Sequence, residues 1–368
     1  MKAVLNWFPI AAGLIFLLSL AYLQRDRAWR GENDFVQLYT GATLVGTPGL
    51  YSRAENLAVV QQVLGLQMES VVYTRPPFYA ALLKPLALLP YRAAYAVFSL
   101  ASIASVIWFV VRFSRECPSL PIFMAMSIPV LTAICGGQDT PFLLAILGAS
   151  LLLTRSDRDF LAGLVLSLVA IKFHLFLFVP LLLLVKKRWW ILGGATTGSL
   201  ALTGLGICVA GVDSILNYAN VLHDPWINFS ATMMPNLHGL VTVLQAGPTL
   251  EMFLVALVLA AISWMLWSSS NYEFLFAASL VCGLLVSFHS GVADEIILLP
   301  VFVSVVKTTS MPSLRVVTAL ILTPIPSLLV LADAPYSAFF PVMLLLLLGL
   351  FCAECATGFK RVLMPSRS

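Results

Sequence analysis

Charge is what this sequence has least of: 10% of its 368 residues are Asp, Glu, Lys or Arg, against 60% that are apolar, and the mean hydropathy is +0.96. A chain so poor in charge cannot cover the surface of a soluble globule of this size, which excludes a cytosolic fold and makes this a polytopic, all-α membrane protein. Long hydrophilic inserts are missing as well, so residues 1–368 form one membrane domain with no separate soluble one. The positive excess is only +4 and sits in short loops, where it sets topology; it is no nucleic-acid footprint. Histidine is scarce, four in the chain, with no His-x-x-x-His or His-Glu-x-x-His spacing, so no obligatory metal is expected. The six cysteines are scattered through apolar segments; Cys352 and Cys355 have no second pair or histidine nearby, and all six read as core residues.

What is there is apolar helix. Crossing a hydrocarbon core of about 30 Å takes about 20 helical residues, and apolar segments recur near 7–23, 91–112, 119–135, 140–154, 160–171, 173–185, 189–210, 249–268, 272–288, 294–308, 314–332 and 337–357. The expectation is about 12 spans, within 10 to 13. The first, behind Lys2, has the shape of a signal peptide, but no convincing small-x-small cleavage site follows and it is kept as a span. Lys2, Arg112/Arg115, Arg155/Arg158, Lys186/Lys187/Arg188, Lys307/Arg315 and Lys360/Arg361/Arg367 all fall on one side, the cytoplasmic one, provided residues 160–185 turn back on themselves. That parity predicts a helical hairpin with Lys172 and His174 at its tip. Trp189/Trp190 and Trp226 suit an interfacial aromatic belt.

Polar residues with no topogenic reason then all come out opposite the basic loops. Asp34 lies just after the first span, Gly136-Gly137-Gln138-Asp139 between the third and fourth, Lys172/His174 at the hairpin tip, Asn236/His238 and Ser287 to Glu295 in later outer loops. Such convergence is what a site at one membrane face looks like. The first outer loop, 24–90, is too apolar for a linker and holds two interfacial helices, over Asp34–Val45 and Ala54–Leu66, before Pro76-Pro77 fixes an extended turn that aims Arg75. A second large outer loop covers 211–248.

In order, Asp34-Phe35 after the first span, Leu50-Tyr51, Pro76-Pro77-Phe78, Pro85 to Pro90, Gly137-Gln138, Ala162-Gly163 ahead of Lys172, His289, and Asp294 before Leu298-Leu299-Pro300 resemble glycosyltransferase family 87. The chain departs from that pattern at Phe173, where a proline often follows the lysine, and at Phe288, where one often precedes the histidine. The resemblance implies the GT-C membrane architecture and a polyprenyl phosphate sugar as donor, with no cofactor. It implies inverting transfer of a hexose, most plausibly mannose, to an acceptor glycan or glycolipid at the extracytoplasmic face of a bacterial cytoplasmic membrane, with both termini cytoplasmic.

By the same resemblance, Asp34 matches the general base on the acceptor hydroxyl; the competing role is an N-cap for the following helix. The lipid-phosphate leaving group calls for cations and donors, for which His289, Lys172 and Arg75 are the candidates, joined by Gln138, Asp294, His174 and His238 as donor or sugar contacts. Structural roles compete for each: a core histidine, a snorkelling lysine, a juxtamembrane arginine, a glycine-rich turn at Gln138, a helix cap at Asp294. Asp139 reads as a cap, and His223/Asp224 as a loop pair. A secondary transporter or a lipid-glycan flippase-like protein is the alternative class; it is disfavoured because no internal repeat is visible and the polar groups gather at one face.

Overall fold

A bilayer offers backbone amides no water, so a membrane chain satisfies them internally as helices. A computed structural model describes residues 2–223 and 231–363, and every regular element in them is helical. Asp224, Trp226 and Arg367 lie outside the described residues. The α-helices are α1 (Lys2–Arg30), α2 (Phe35–Leu44), α3 (Arg53–Leu64), α4 (Pro77–Leu83), α5 (Tyr91–Phe113), α6 (Leu120–Ala125), α7 (Ile128–Cys135), α8 (Thr140–Arg155), α9 (Asp159–Leu166) and α10 (Phe178–Val185). They continue as α11 (Trp189–Ala210), α12 (Asp213–Leu222), α13 (Leu237–Val243), α14 (Pro248–Ser268), α15 (Tyr272–Val286), α16 (Leu298–Thr308), α17 (Pro312–Ile321), α18 (Pro324–Leu331) and α19 (Phe339–Leu363). Short 3-10 helices cover, among others, Ser167–Phe176 and Val292–Ile297.

Each apolar segment drawn from hydropathy coincides with helix, but the long ones are fewer than about 12. Among the described residues six stretches are long and apolar enough to cross a membrane: Phe8–Leu44, Tyr91–Phe113, Asp159–Phe176, Trp189–Ala210, Pro248–Ser268 and Tyr336–Thr357. The pair α17 and α18, bent by 46°, makes a seventh if counted as one. The remaining segments are short, as in α8 and α15, or interrupted, as between α6 and α7, where each helix begins on a proline turn. They persist because they are enclosed: α15 is buried from Phe274 to Leu285 and α16 from Leu298 to Val305. A helix walled in by protein need not itself match the thickness of the hydrocarbon.

The hairpin demanded by the basic loops is present. Arg188, just before α11, reaches Asp159 at the start of α9 (2.8 Å), so the chain between them goes in and comes back. The helix breaks at Lys172 (φ −132°, ψ 57°), which is where it turns. α9 and α11 run parallel and nearly touch, because a Cβ on Gly194 would fall 2.0 Å from the Phe160 carbonyl oxygen and one on Gly163 equally close to that of Ile191. Only glycine allows two backbones to approach so closely.

Charged side chains separate the two ends of the bundle. At one end Arg155, closing α8, binds Glu116 (2.7 Å) and Glu273 (2.8 Å), and Lys307 of α16 also binds Glu273 (3.0 Å). Asp139 precedes α8 at its other end; the 16 residues between put the two termini about 24 Å apart at 1.5 Å per residue. The basic loops and the candidate residues therefore occupy opposite ends, as their sequence positions imply. α2 is more deeply set than an interfacial helix: Phe35 is fully buried against Tyr91, Tyr95 and Phe98, with ring centroids 4.9 to 5.5 Å apart. Thr40 of α2 bonds Asn56 of α3 at 2.6 Å, so both helices of the first loop are tied into the body.

Candidate active site

Two loops are stitched together to build the site. The Asp34 backbone N–H donates to the Gly136 carbonyl at 2.8 Å, joining the α1–α2 turn to the α7–α8 turn. Gly137 makes the second turn possible: its φ is +63°, and a Cβ there would lie 2.5 Å from Phe35 Cβ. Gly137→Ala is expected to lose at least about 1–2 kcal/mol from the left-handed backbone alone, with the clash adding to it. The expected readout is a lower melting temperature in detergent, because the turn that sets Gln138 against Asp34 would be displaced; a variant that melts as the wild type does would show that this turn does not hold the site.

From there a chain of polar groups runs inward. Gln138 Nε2 donates to Asp34 Oδ2. Its Oε1 accepts from Lys172 Nζ (3.1 Å), which also donates to Asp294 Oδ1 (2.6 Å) and lies 3.4 Å from Asp139 Oδ1. Arg75 Nε donates to Asp139 Oδ2 (2.6 Å), and its Nη1 to Thr74 Oγ1 (3.0 Å), whose hydroxyl donates to Gln37 (2.7 Å). A lysine can only donate and a carboxylate can only accept, so the Gln138 amide has one satisfactory orientation between them.

The electrostatics follow from burial. Arg75, Lys172, Asp139 and Asp294 are all less than a tenth exposed, while Asp34 opens to the surface. Two buried cations face two buried carboxylates, and such a group is stable only because it is paired. Burial alone would raise the Asp139 carboxyl, but Arg75 and Lys172 outweigh it and hold it down at about 2. Asp34 has no cation within ion-pair distance among the described residues; its carboxylate is steadied by a neutral amide.

The competing structural roles separate here. Asp34 stands at the N-cap position of α2 but makes no side-chain cap; Asn33 Oδ1 accepts the Phe35 N–H instead (3.0 Å). Asp139, which reads in sequence as a cap, makes none either, and is the carboxylate shared by Arg75 and Lys172. Asp294 does both jobs, accepting from the Gly291 N–H (2.9 Å) with one oxygen and from Lys172 with the other. Lys172 is no snorkelling residue: it is 3% exposed and engaged at the hairpin tip. Asp139 is the residue that sequence reasoning missed, and its only signal was standing next to Gln138 after two glycines.

His174 and His289 line the same end, with ring centroids 6.4 Å apart, and His174 packs on Phe288 at 4.8 Å. His174 Nε2 is buried without a hydrogen-bond partner among the described residues, so it is a polar group left for something else to satisfy. Burial pushes the His289 imidazole down to about 4; Asp294 draws it up, but Lys172 and Arg75 add to the depression, so the ring is neutral at neutral pH. The structure does not bring His238 into this set. It turns to Glu251 of α14 at 3.2 Å, while its neighbour Asn236 braces the site loop by donating to the Ser287 carbonyl (2.8 Å). His223 folds back on its own helix, against the Ala219 carbonyl.

Residues 73–290, more than half of the chain, match glycosyltransferase family 87. The chain belongs to that family. It is therefore a glycosyltransferase, and its apolar helices make it a multi-pass membrane one. Arg75, Gln138, Asp139, Lys172, His174 and His289 fall inside the matched region; Asp294 lies just past its end and Asp34 well before its start, each bonded to a residue within it. No curated protein and no solved structure matches the chain.

Proposed function

We propose that the enzyme transfers a hexose, most plausibly mannose, from a polyprenyl phosphate sugar to the hydroxyl of an acceptor glycan or glycolipid, with inversion at the anomeric carbon and Asp34 as general base. The observation that carries this reading is the position of Asp34: it is the exposed end of a chain of polar groups whose other charges, Arg75, Asp139, Lys172 and Asp294, are buried and balanced. A carboxylate held by an amide and not by a cation keeps its basicity, which is what deprotonating an attacking hydroxyl needs. In the step, the Asp34 carboxylate takes the acceptor O–H proton, the oxygen bonds to the anomeric carbon, and the bond from that carbon to the phosphate oxygen breaks. The electron pair leaves with the lipid phosphate.

Stabilising that leaving charge falls to donors around it. Lys172 has its hydrogen bonds taken by Gln138, Asp294 and Asp139, so its part is mainly to hold Gln138 and supply field; Arg75 acts in the same way through Asp139. His174, with its uncommitted Nε2, and His289 beside it are better placed to meet the phosphate directly. His238, paired with Glu251, keeps at most an indirect role in donor binding.

The proposed topology puts the basic end in the cytoplasm of a bacterial inner membrane with both termini, and the Asp34 end outside; the short helices complete the about 12 passes in combination. Impermeant maleimide tests it in a background lacking the exposed Cys208. Asn33→Cys and Phe288→Cys are expected to label from outside and Arg158→Cys only after lysis. Labelling of positions 33 and 288 from opposite faces would end the shared-site reading. The activity itself is tested by label incorporation from a radioactive polyprenyl phosphate sugar into membrane acceptors.

A further inference from the structure

The 3-10 helix Val292–Ile297 carries two carboxyl groups in succession, and they meet different partners. Asp294 holds Lys172 and the Gly291 amide. Glu295 stands a third of a turn further round and faces α18, where the Ser327 hydroxyl donates to its Oε2 at 2.5 Å. It is 1% exposed, and its Oε1 is buried without a hydrogen-bond partner among the described residues. Glu295 and Ser327 both lie beyond the stretch matched to the family, and the reaction as proposed uses neither.

No cation is left for Glu295. At this end of the bundle Arg75 and Lys172 already answer Asp139 and Asp294, two charges against two, and no ion pair reaches Glu295 among the described residues. The elements packed on the turn bring none. α18 has no titratable side chain, and α7 has only Cys135. α15 offers Cys282, with Tyr272 and Glu273 in its first turn at the other end of the bundle; Arg155 of α8 and Lys307 of α16 are bound to Glu273 there. The chain entering the turn adds only the neutral His289. An ionised carboxylate enclosed in this way without a cation is too costly to keep, so Glu295 carries its proton.

We infer that Glu295 is a positioning residue that works as a neutral acid: clasped to Ser327, it fixes the turn that presents Asp294 to Lys172, and so sets Gln138 against Asp34. A 3-10 turn has weak hydrogen bonds of its own, and this one is tied at Gly291 on one side and at Ser327 on the other. Were Glu295 ionised, it would compete with Asp294 for Lys172 and draw the ammonium away from Gln138. The inference rests on the transferase reading above and adds that α18, outside the matched stretch, helps to hold the site.

Transfer rates and melting in detergent test it together on the full chain. Glu295→Leu and Ser327→Ala each break the clasp and are expected to slow transfer by about 10- to 10²-fold, the cost of displacing a catalytic group by about an ångström. Glu295→Gln, neutral and still able to accept from Ser327, is expected to recover most of that loss. Should Glu295→Leu not fold, Ser327→Ala and the pH series below carry the test. The unfolded glutamate ionises above about pH 4.3 while the folded one keeps its proton. Wild type therefore loses about tenfold in its folding equilibrium per pH unit above that point, and Glu295→Gln does not. The melting temperature of Glu295→Gln relative to wild type should accordingly climb from about pH 5 to pH 8. A difference that stays level or shrinks over that range, or a glutamine variant as slow as Ser327→Ala, would overturn the inference. The two readings fail separately: transfer that survives Asp34→Asn removes the base and leaves the melting difference as it is, and a level difference removes the neutral acid while an inactive Asp34→Asn keeps the base.

Discussion

Asp34→Asn should slow sugar transfer by about 10²- to 10⁴-fold, the contribution a positioned general base makes, while the protein melts at its usual temperature. The two halves of this expectation have different causes. The carboxylate is the only acidic group of the cluster that opens to the surface without an ion-pair partner among the described residues, so removing its charge takes away proton acceptance and little else. Asparagine keeps the shape, its Oδ1 can still accept from Gln138, and the backbone bond to Gly136 is untouched. No cap is lost, because Asn33 and not Asp34 caps the turn. Equal label incorporation from polyprenyl phosphate mannose by variant and wild type would remove Asp34 from the base role, although membership of the family would stand.

Lys172→Met should have the opposite profile, a loss of stability first. The ammonium lies between Asp139 and Asp294, which are 0% and 2% exposed. Deleting one partner of a buried pair while leaving the other charged costs about 3–5 kcal/mol, more than most single substitutions. Arg75 still covers Asp139, and the Gly291 amide still reaches Asp294, which places the effect toward the lower end of that range. Combining Lys172→Met with Asp294→Asn should recover part of the loss, since asparagine can accept from Gly291 without carrying an unpaired charge. Thermal unfolding in detergent reads both; a single variant as stable as wild type, or a double variant less stable than the single, contradicts the pairing. Transfer should also fall in the single variant, because Gln138 loses the donor that fixes its amide.

Several elements could be read before any coordinates. The hairpin at 160–185 followed from charge parity alone, because a single span there would have placed Lys186, Lys187 and Arg188 on the wrong side; the Asp159–Arg188 ion pair is its physical trace. The gathering of Asp34, Gln138, Lys172, His289 and Asp294 at one end followed from the same topology. Other assignments could not be made that way. A carboxylate just before a helix looks the same in sequence whether it caps or pairs. Asp34, Asp139 and Asp294 all stand in such positions, and they turn out to be a free end, a buried counterion and a cap that is also a counterion. His238 shared a face with the site but had Glu251 within reach on α14.

The residue types by themselves determined that the chain lives in a membrane as apolar helices and which end of the bundle is polar, because burial in hydrocarbon and the placement of lysine and arginine act on each segment separately. Only tertiary structure decided how many of those helices are long enough to cross alone and which carboxylate answers which cation. Those pairings join residues 64 and 122 positions apart. They depend on two glycine-lined helices closing to backbone contact and on one left-handed turn at Gly137, and no local pattern encodes the distance between groups that far apart in the chain.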